Sequence, residues 1–413
     1  MGSVTTRYAL RSLRRHPRRT MLSVFGVAFG VGIGLLAAAW VRGQQTMMAD
    51  AAAHGGLGHL RVVPEAYRAS RDLDLRLADW RAELERLRAT PGVREVSPHA
   101  QVRGLLGMGT RSAHVTLTGV DPRTEPRTLR YVRELAEGRY LGPNERGAIV
   151  IGASIARRLR AEVNDELVVT AVDDRGEMQT MLLVVVGIAS TGSRDVDDTI
   201  AHVALADVER LSGRAGASDL TILLDDVHAI DAMKARIAAQ LPPGDAVLTW
   251  LEASPDLRAG MAKGEGYMRA TLFIVLLVVL LGVTSAQLTS VLERRKELAV
   301  LAALGMRARH LVAVLLTEGI ALGLASGLGA LAWSAPVVAH LAGEGVDLGA
   351  TFGGGGGVAL GGVLMEMRAY PSFGPWFFGA GLALAVVATS LASLYPAWFA
   401  ARTDPAIALR VDR

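Results

Sequence analysis

MLSVFGVAFGVGIGLLAAAWV, residues Met21 to Val41, carries no charged side chain and is flanked by Arg18 and Arg19 on one side and Arg42 on the other. The hydrocarbon core of a bilayer is about 30 Å thick, and a helix of about 20 apolar residues crosses it with every backbone N–H and C=O paired internally. The run meets that requirement and predicts a membrane-spanning helix. Toward the other end, Ala270 to Leu292 and Phe373 to Ala401 are also uncharged, and Leu311 to Leu341 carries only Glu318 and His340. The layout is one span, a long mixed segment, then three closely spaced spans. A soluble protein with buried core helices does not explain four such runs.

Composition agrees: 51% of the chain is hydrophobic and 20% is charged, as expected of a protein that is part membrane and part water-exposed. There is no cysteine, which excludes disulfides, thiol nucleophiles and Cys-based metal sites. Arg7, Arg11, Arg14, Arg15, Arg18 and Arg19 crowd the segment before the first span, and Arg294, Arg295, Lys296, Arg307 and Arg309 fill the short loop after the second. The positive-inside rule makes both segments cytoplasmic. From Arg42 through Arg269 there are 29 basic and 32 acidic residues, so this insert is net acidic while the whole chain is +4. The basic excess belongs to membrane orientation, and no nucleic-acid partner is expected.

A cleaved signal peptide is the alternative for the first span, with Ala37, Ala38 and Ala39 as small residues before a cut. The apolar run is longer than the ~7–15 residues of a signal h-region, and Trp40, Val41 and Arg42 suit an interfacial helix end, which favours an uncleaved anchor. Before it, Tyr8, Ala9, Leu10 and Leu13 alternate with arginines at helical spacing, as in an amphipathic helix lying on anionic lipid and ended by Pro17.

Beyond Val41 the helix is expected to continue outward through Gln44, Met47, Met48 and Ala52 and to stop at Gly55 and Gly56. GHLRVV from Gly58, HVTLTGV from His114, AIVIG from Ala148, ELVVTAV from Glu166 and MLLVVVGI from Met181 read as strands. Leu77 to Arg88, Ser154 to Arg160, Leu205 to Leu211 and Ile230 to Leu241 read as helices. The fold class is therefore a membrane protein of four transmembrane α-helices with a large mixed α/β domain between helices one and two. The expected order is an amphipathic helix over 1–20, a span over 21–42, the α/β domain over 43–267, a span over 268–292, a connecting helix over 293–309, a span over 310–341, a second external loop over 342–372, a span over 373–401 and a tail over 402–413. Acidic pairs such as Asp173-Asp174 and Asp197-Asp198 read as solvated turns in preference to a cation site.

The loop ERRKELAVLAALGMRARHL places Leu298, Leu301 and Ala302 on one helical face, with a charged first turn from Glu293 to Glu297 and Gly305 placed to end the helix. A connector exposing Leu301 and Leu304 beside charges is a natural docking face for another protein. Glu318, an acid inside a span, is costly and by default functional. Its place shortly after Arg307 and Arg309 favours a structural ion pair or helix contact over proton coupling. Phe25, Phe29 and Leu36 in the first span, with Met47 and Met48 beyond it, are the candidate lining for a flexible apolar ligand, set against simple packing toward lipid.

The run from Glu293 to Gly327 closely resembles the ERRREIGLLRALGAxRxxI…EGLLLGLLGG stretch of ABC-transporter permeases of the MacB/FtsX/LolC-LolE type. Tyr395-Pro396-Ala397, Ala400-Ala401-Arg402, Asp404-Pro405 and Ala408-Leu409-Arg410 resemble that family's YPARRAARLDPVEALR ending. Gly119-Val120-Asp121, Ile151-Gly152 and Val186-Gly187-Ile188 resemble its periplasmic core. The departures are Trp398 and Phe399, where arginines are usual, and a long second loop with glycines from Gly353 to Gly357.

The resemblance implies a permease in a bacterial inner membrane, multi-pass, with both termini cytoplasmic and the α/β domain periplasmic. It implies a cytoplasmic ABC ATPase dimer as partner, a second permease copy or paralogue, membrane lipid, and a periplasmic lipoprotein carrier or adaptor. Residues 293–309 then form the coupling helix, with Arg294, Arg295, Glu297, Leu301, Leu304 and Gly305 as ATPase contacts. Lipoprotein release is the leading expectation, through the outer halves of spans one and two. The alternatives are MacB-like drug or peptide efflux and an FtsX-like, non-transporting regulator of a cell-wall hydrolase. This chain has no G-x-x-x-x-G-K-[ST] loop, no H-E-x-x-H and no G-x-S-x-G, so no catalytic residue and no cofactor is expected in it, with ATP and Mg held by the partner. His54 and His59 flank a glycine cluster and read as ordinary surface histidines in preference to zinc ligands, so no metal is expected.

Overall fold

The computed structural model describes residues 17–133, 135–191, 193–293, 300, 306, 308–347, 358–360, 363–365 and 368–402. The expected coupling-helix contacts Arg294, Arg295, Glu297, Leu301, Leu304 and Gly305 lie outside the described residues, as do the glycines at 353–357, the amphipathic segment before Pro17 and the tail beyond Arg402.

Helix α1, Pro17–Ala52, has 36 residues. At 1.5 Å per residue it is roughly 54 Å long, so it outruns a 30 Å hydrocarbon core by several turns. It ends in a π turn, Ala53–Leu57, where Gly56 has φ +108°, and Gly58 follows with φ +67°. Only glycine adopts these angles without strain, which is why the helix stops here.

The chain then enters a ten-stranded sheet. Its strands are β1 Leu60–Pro64, β2 Val93–Met108, β3 Arg111–Val120, β4 Glu137–Gly138, β5 Ala148–Gly152, β6 Glu166–Val172, β7 Met178–Ala189, β8 Ala201–Ala204, β9 Asp219–Leu224 and β10 Asp245–Thr249. Between them lie α2 Trp80–Arg88, α3 Glu125–Thr128, α4 Ala153–Leu159, α5 Leu205–Ser212 and α6 Ile230–Ala238, and α7 Trp250–Ala253 follows β10. The five strands and four helices read from the sequence are all present, but β2, β8, β9, β10 and the short β4 were not foreseen.

Strand β2 organises the sheet. Its first half, Val93–His99, pairs with β9, which continues through β1 to β10. Its second half, Ala100–Met108, pairs with β3, and the pairing runs on through β8, β5, β7 and β6 back to β2, so six strands close a ring. Leu106, Leu117, Ile149, Ile151, Leu167, Leu183 and Val203 fill it, with Ile155 and Leu159 of α4 and Leu211 of α5 packed against them. A second core under α2 and α6 joins Leu84 and Ile237 to Leu60, Val96, Ile222 and Val247 of the other half. One strand shared by two cores makes the halves hard to separate.

Among the described residues three long helices follow: α8 Pro255–Glu293, α9 Ala308–Glu344 and α10 Pro375–Arg402. With α1 they give, among the described residues, four helices long and apolar enough to cross a membrane. The extra length of α8 is its polar lead-in, DLRAGMAKGEGYMR, ahead of the apolar run. Water supplies no hydrophobic drive between helices in lipid, so they associate by close packing at small residues. Gly319, Gly323 and Gly327 lie four apart on one face of α9. A Cβ on Gly323 would stand 2.4 Å from the Thr389 hydroxyl and 2.8 Å from the Val386 Cα on α10, and one on Gly319 would meet the Ser393 side chain at 2.2 Å. Thr389 and Ser393, both fully buried, donate to the carbonyls of Ala385 and Thr389 one turn back, at 2.9 and 2.6 Å, so neither hydroxyl is left unpaired. Trp333 of α9 donates from Nε1 to the Ala28 carbonyl of α1 at 3.2 Å, against the bare Cα of Gly32.

These contacts predict a contrast between two glycines. Gly323→Ala forces α9 and α10 apart and lowers the thermal midpoint of the detergent-solubilised chain, with an overpacking cost of about 1–3 kcal/mol. Gly26→Ala meets nothing within 4 Å and leaves the midpoint unchanged. Equal shifts in the two variants contradict the packing described.

Candidate functional site

Helix α8 is the least covered span, with 12% of its apolar window buried against 39–44% for the other three. Beside it, a cavity of about 530 Å³ opens between α1 and α8. Leu22, Phe29 and Ile33 line it from α1, and Ile274, Val278 and Val283 from α8, with Gly26, Gly30 and Gly282 forming bare stretches of wall. Nothing lies within 4 Å of where a Cβ would stand on Gly26 or Gly282, so the missing side chains are what leave the space open. Phe29 is held by stacking on Phe25 at 6.4 Å and on Trp333 at 5.6 Å. Among the described residues no charged side chain lines the cavity, and Ser23 is its polar member. It is a predominantly apolar slot suited to hydrocarbon.

The five candidate lining residues separate into two groups. Phe29 borders the cavity and Phe25, 71% exposed, stacks on it. Leu36 instead packs against the bundle core. Met47 and Met48 are not in the cavity: Met48 is 5% exposed and, with Ala49 and Ala52, is covered by Trp250 and Leu257. Helical periodicity carries this stripe on beyond the lipid-facing run, so the methionine serves a packed core. The cavity also runs along residues 22–33 of α1, the half of that span farther along the chain from the α/β domain, whereas on α8 its residues 274–283 fall in the nearer half and the middle. Glu318 is 8% exposed, next to the Gly319 contact between α9 and α10.

Within the α/β domain the structure assembles a polar cluster that the sequence did not signal. Ser97 and His99 lie two apart on β2, so they share a face, and Asp219 and Thr221 do the same on β9. The β2–β9 register sets Ser97 against Thr221 and His99 against Asp219, while β1 sets Arg61 against Thr221. Arg61, His99, Glu125 and Asp219 are all 8% exposed or less. His99 bonds through Nε2 to the Glu125 carboxylate at 2.6 Å, and through Nδ1 faces Thr221 Oγ1 at 3.1 Å and Asp219 at 3.4 Å. Arg61 stands 3.4 Å from the same Asp219 oxygen. Glu125 also accepts from Ser97 and, at 3.2 Å, from Thr128. Two cations and two anions cancel, which makes such burial tolerable.

Burial opposes the charge on His99, but the Glu125 carboxylate and the contacts with Asp219 outweigh it and raise His99 to about 10. Burial likewise opposes ionisation of Glu125 and Asp219, yet His99 and Ser97 hold the first below its ordinary value, and Arg61 with His99 and Thr221 hold the second there. Nearby His202 meets the hydroxyls of Tyr140 at 2.9 Å and Tyr131 at 3.3 Å, and burial pushes it down to about 4.

Two expectations about polar residues need correction. His59 is 2% exposed and not a surface residue: its Nδ1 accepts from the Leu224 N–H at 3.0 Å, and burial pushes it down to about 4. His54 turns instead to the Asp50 carbonyl at 2.9 Å, and among the described residues no group of three or more metal-capable side chains gathers. Asp197 is 3% exposed and not solvated, because its carboxylate accepts from both the N–H and the hydroxyl of Thr191 at 2.8 Å. Asp173 does act in a turn, accepting from the N–H groups of Arg175 and Glu177 to shape the β6–β7 hairpin.

A family model described as the MacB-like periplasmic core domain matches residues 20–240, and one described as the FtsX-like permease C-terminal domain matches residues 269–405. The lipoprotein-releasing system transmembrane protein LolC of Xylella fastidiosa (strain 9a5c) is 23% identical over 407 residues, covering 95% of this chain and 94% of that protein. LolC of Neisseria meningitidis serogroup B is 24% identical over 343 residues, covering 77% and 78%. The crystal structure of the periplasmic region of MacB from Actinobacillus actinomycetemcomitans aligns at 14% identity with a TM-score of 0.34, over 46% of this chain and 88% of that one.

The buried histidines predict the pH response of the fold. His59 and His202, lowered from 6.5 to about 4, contribute stability that is complete above pH 6.5 and is lost as pH falls through 4. His99, raised to about 10, contributes stability that is complete below 6.5 and is lost as pH rises through 10. The thermal midpoint of the full chain therefore falls on both sides of neutrality, steeply between pH 6.5 and 4 and again toward pH 10. Equal midpoints at pH 7 and 4.5 refute the neutral state assigned to His59 and His202.

Proposed function

The chain belongs to the MacB/FtsX/LolC type of ABC-transporter permease, and from that premise we propose that it is the membrane subunit of a system that releases lipoproteins from a bacterial inner membrane. The observation that carries this reading is the apolar, glycine-walled cavity between α1 and α8, with no charged side chain among the described residues that line it. Alignment with LolC proteins along nearly the whole chain supports it. Acyl chains of the substrate enter the slot from the surrounding lipid, beside Phe29 and Ile33 on one wall and Ile274 and Val278 on the other.

ATP is bound together with Mg and hydrolysed in a separate ABC ATPase, a dimer on the cytoplasmic face. Arg294, Arg295, Glu297, Leu301, Leu304 and Gly305 form its contact, with the arginine-rich N-terminal segment and the tail on the same side of the membrane. Hydrolysis there shifts α1 and α8, and the periplasmic α/β domain moves with them, as a coupling between two distant sites requires. A second permease copy or a paralogue covers the exposed face of α8, and a periplasmic carrier or adaptor receives the substrate.

Three outcomes test this. Depleting the chain leaves lipoproteins in the inner membrane; drug hypersensitivity without that retention means efflux instead. Gly26→Leu fills the slot and lowers lipoprotein release about tenfold or more while the ATPase still co-purifies, and unaltered release removes the slot from the pathway. Leu301→Asp with Leu304→Asp abolishes co-purification of the ATPase, and undiminished pairing sinks the docking assignment.

A further inference from the structure

Between α1 and the sheet the chain passes through Gly55, Gly56 and Gly58, the last two at φ +108° and +67°. Such a stretch bends at little cost and would absorb any movement of the helix before it reached the domain. The buried charges are arranged around this point. Arg61, Asp219, His99 and Glu125 form one chain of ion pairs that crosses β1, β9 and β2 and enters α3. Both of its ends return to the π turn that terminates α1. At one end, Arg61 donates from Nη2 to the Gly56 carbonyl at 3.0 Å. At the other, Glu125 opens α3, and the residues that follow α3 hold the turn: the Arg130 N–H reaches the His54 carbonyl at 3.5 Å, and its guanidinium pairs with Asp50 at 3.0 Å.

Stability alone does not account for this choice of residues. Ionic groups in a protein interior carry a desolvation penalty, and well-packed apolar residues of similar volume often stabilise a fold as much or more. Ion pairs add direction, because each bond fixes one side chain against one partner. Here they fix three strands, a short helix and the helix tip in a single arrangement.

We propose that His99 and Glu125 are positioning residues that lock the glycine hinge, so that residues 45–57, the end of α1 with its π turn, and the sheet move as one rigid body. A displacement of α1 is thereby delivered to the domain. The reading rests on the function proposed above, in which ATP hydrolysis shifts α1, but the lock is a property of the chain alone and is measured without nucleotide.

The cysteine-free chain permits a direct test. Spin labels are placed through Gln45→Cys on the outer segment of α1 and Arg175→Cys on the exposed β6–β7 turn, in the full chain reconstituted in lipid nanodiscs. The parent gives one narrow interspin distance distribution, and His99→Ala at least doubles its width. Glu125→Gln, which keeps the shape and removes the charge, widens it as well and decides the matter if His99→Ala does not fold. Ile222→Val trims the neighbouring core without touching a polar contact, so it lowers the thermal midpoint but leaves the width unchanged. A width unaltered in Glu125→Gln, or widened equally in Ile222→Val, overturns the proposal. In proteoliposomes carrying the co-purified ATPase and a triacylated lipoprotein, His99→Ala keeps ATP turnover and lowers lipoprotein released per ATP at least fivefold; parallel loss of both, or of neither, also overturns it. If the parent itself couples no hydrolysis to release, the proposed function fails, and the distance measurement still decides the lock.

Discussion

A backbone amide in hydrocarbon has no water to bond, and the four long apolar helices of this chain answer to that constraint. Four segments become helices because a helix alone closes its own hydrogen bonds within one segment. Their buried hydroxyls turn back on carbonyls one turn earlier, as Thr389 and Ser393 do. The helices then pack by removing side chains instead of burying them from water. Gly319, Gly323 and Gly327 bring α9 and α10 into backbone contact, and Gly32 admits the Trp333 ring. Where glycines lack a facing helix, at Gly26 and Gly282, the same economy of side chains leaves an open slot. Packing and cavity are two results of one residue choice.

The α/β domain obeys a different rule, because water returns and apolar burial drives assembly. Its unusual feature is that β2 serves both the closed ring and the sheet beyond it. A strand shared in this way is covered on both faces, and its residues from Val96 to Ala100 are all buried. Polar residues there are admitted only if satisfied, and Ser97 and His99 are, through Glu125, Asp219 and Thr221. The charge chain thus sits at the seam of the domain and reaches the end of α1.

How legible these features were follows from their physics. The spans were readable because length and absence of charge are local properties of a sequence. Strands β3, β5, β6 and β7 were readable because β-branched runs alternate or cluster between turn residues. Strand β2 was hidden by Pro98, Gly104 and Gly107 and by Arg94, Glu95 and Arg103, which break any alternation. Met48 lies in a packed core and not in the slot, because helical spacing tells which residues share a face and says nothing about what covers that face. Asp197 and His59 look solvated in the sequence because an acid or a histidine beside a turn reads the same whether water or a backbone N–H meets it.

The sequence by itself determined the four candidate spans, the long insert between the first and second of them and the family resemblance, since hydropathy and short motifs are carried by neighbouring residues. Tertiary structure alone decided the slot between α1 and α8, which joins residues about 250 positions apart, and the ion-pair chain, whose members lie on four separate elements. Both depend on register and helix facing, and these are set by long-range packing that no local pattern encodes.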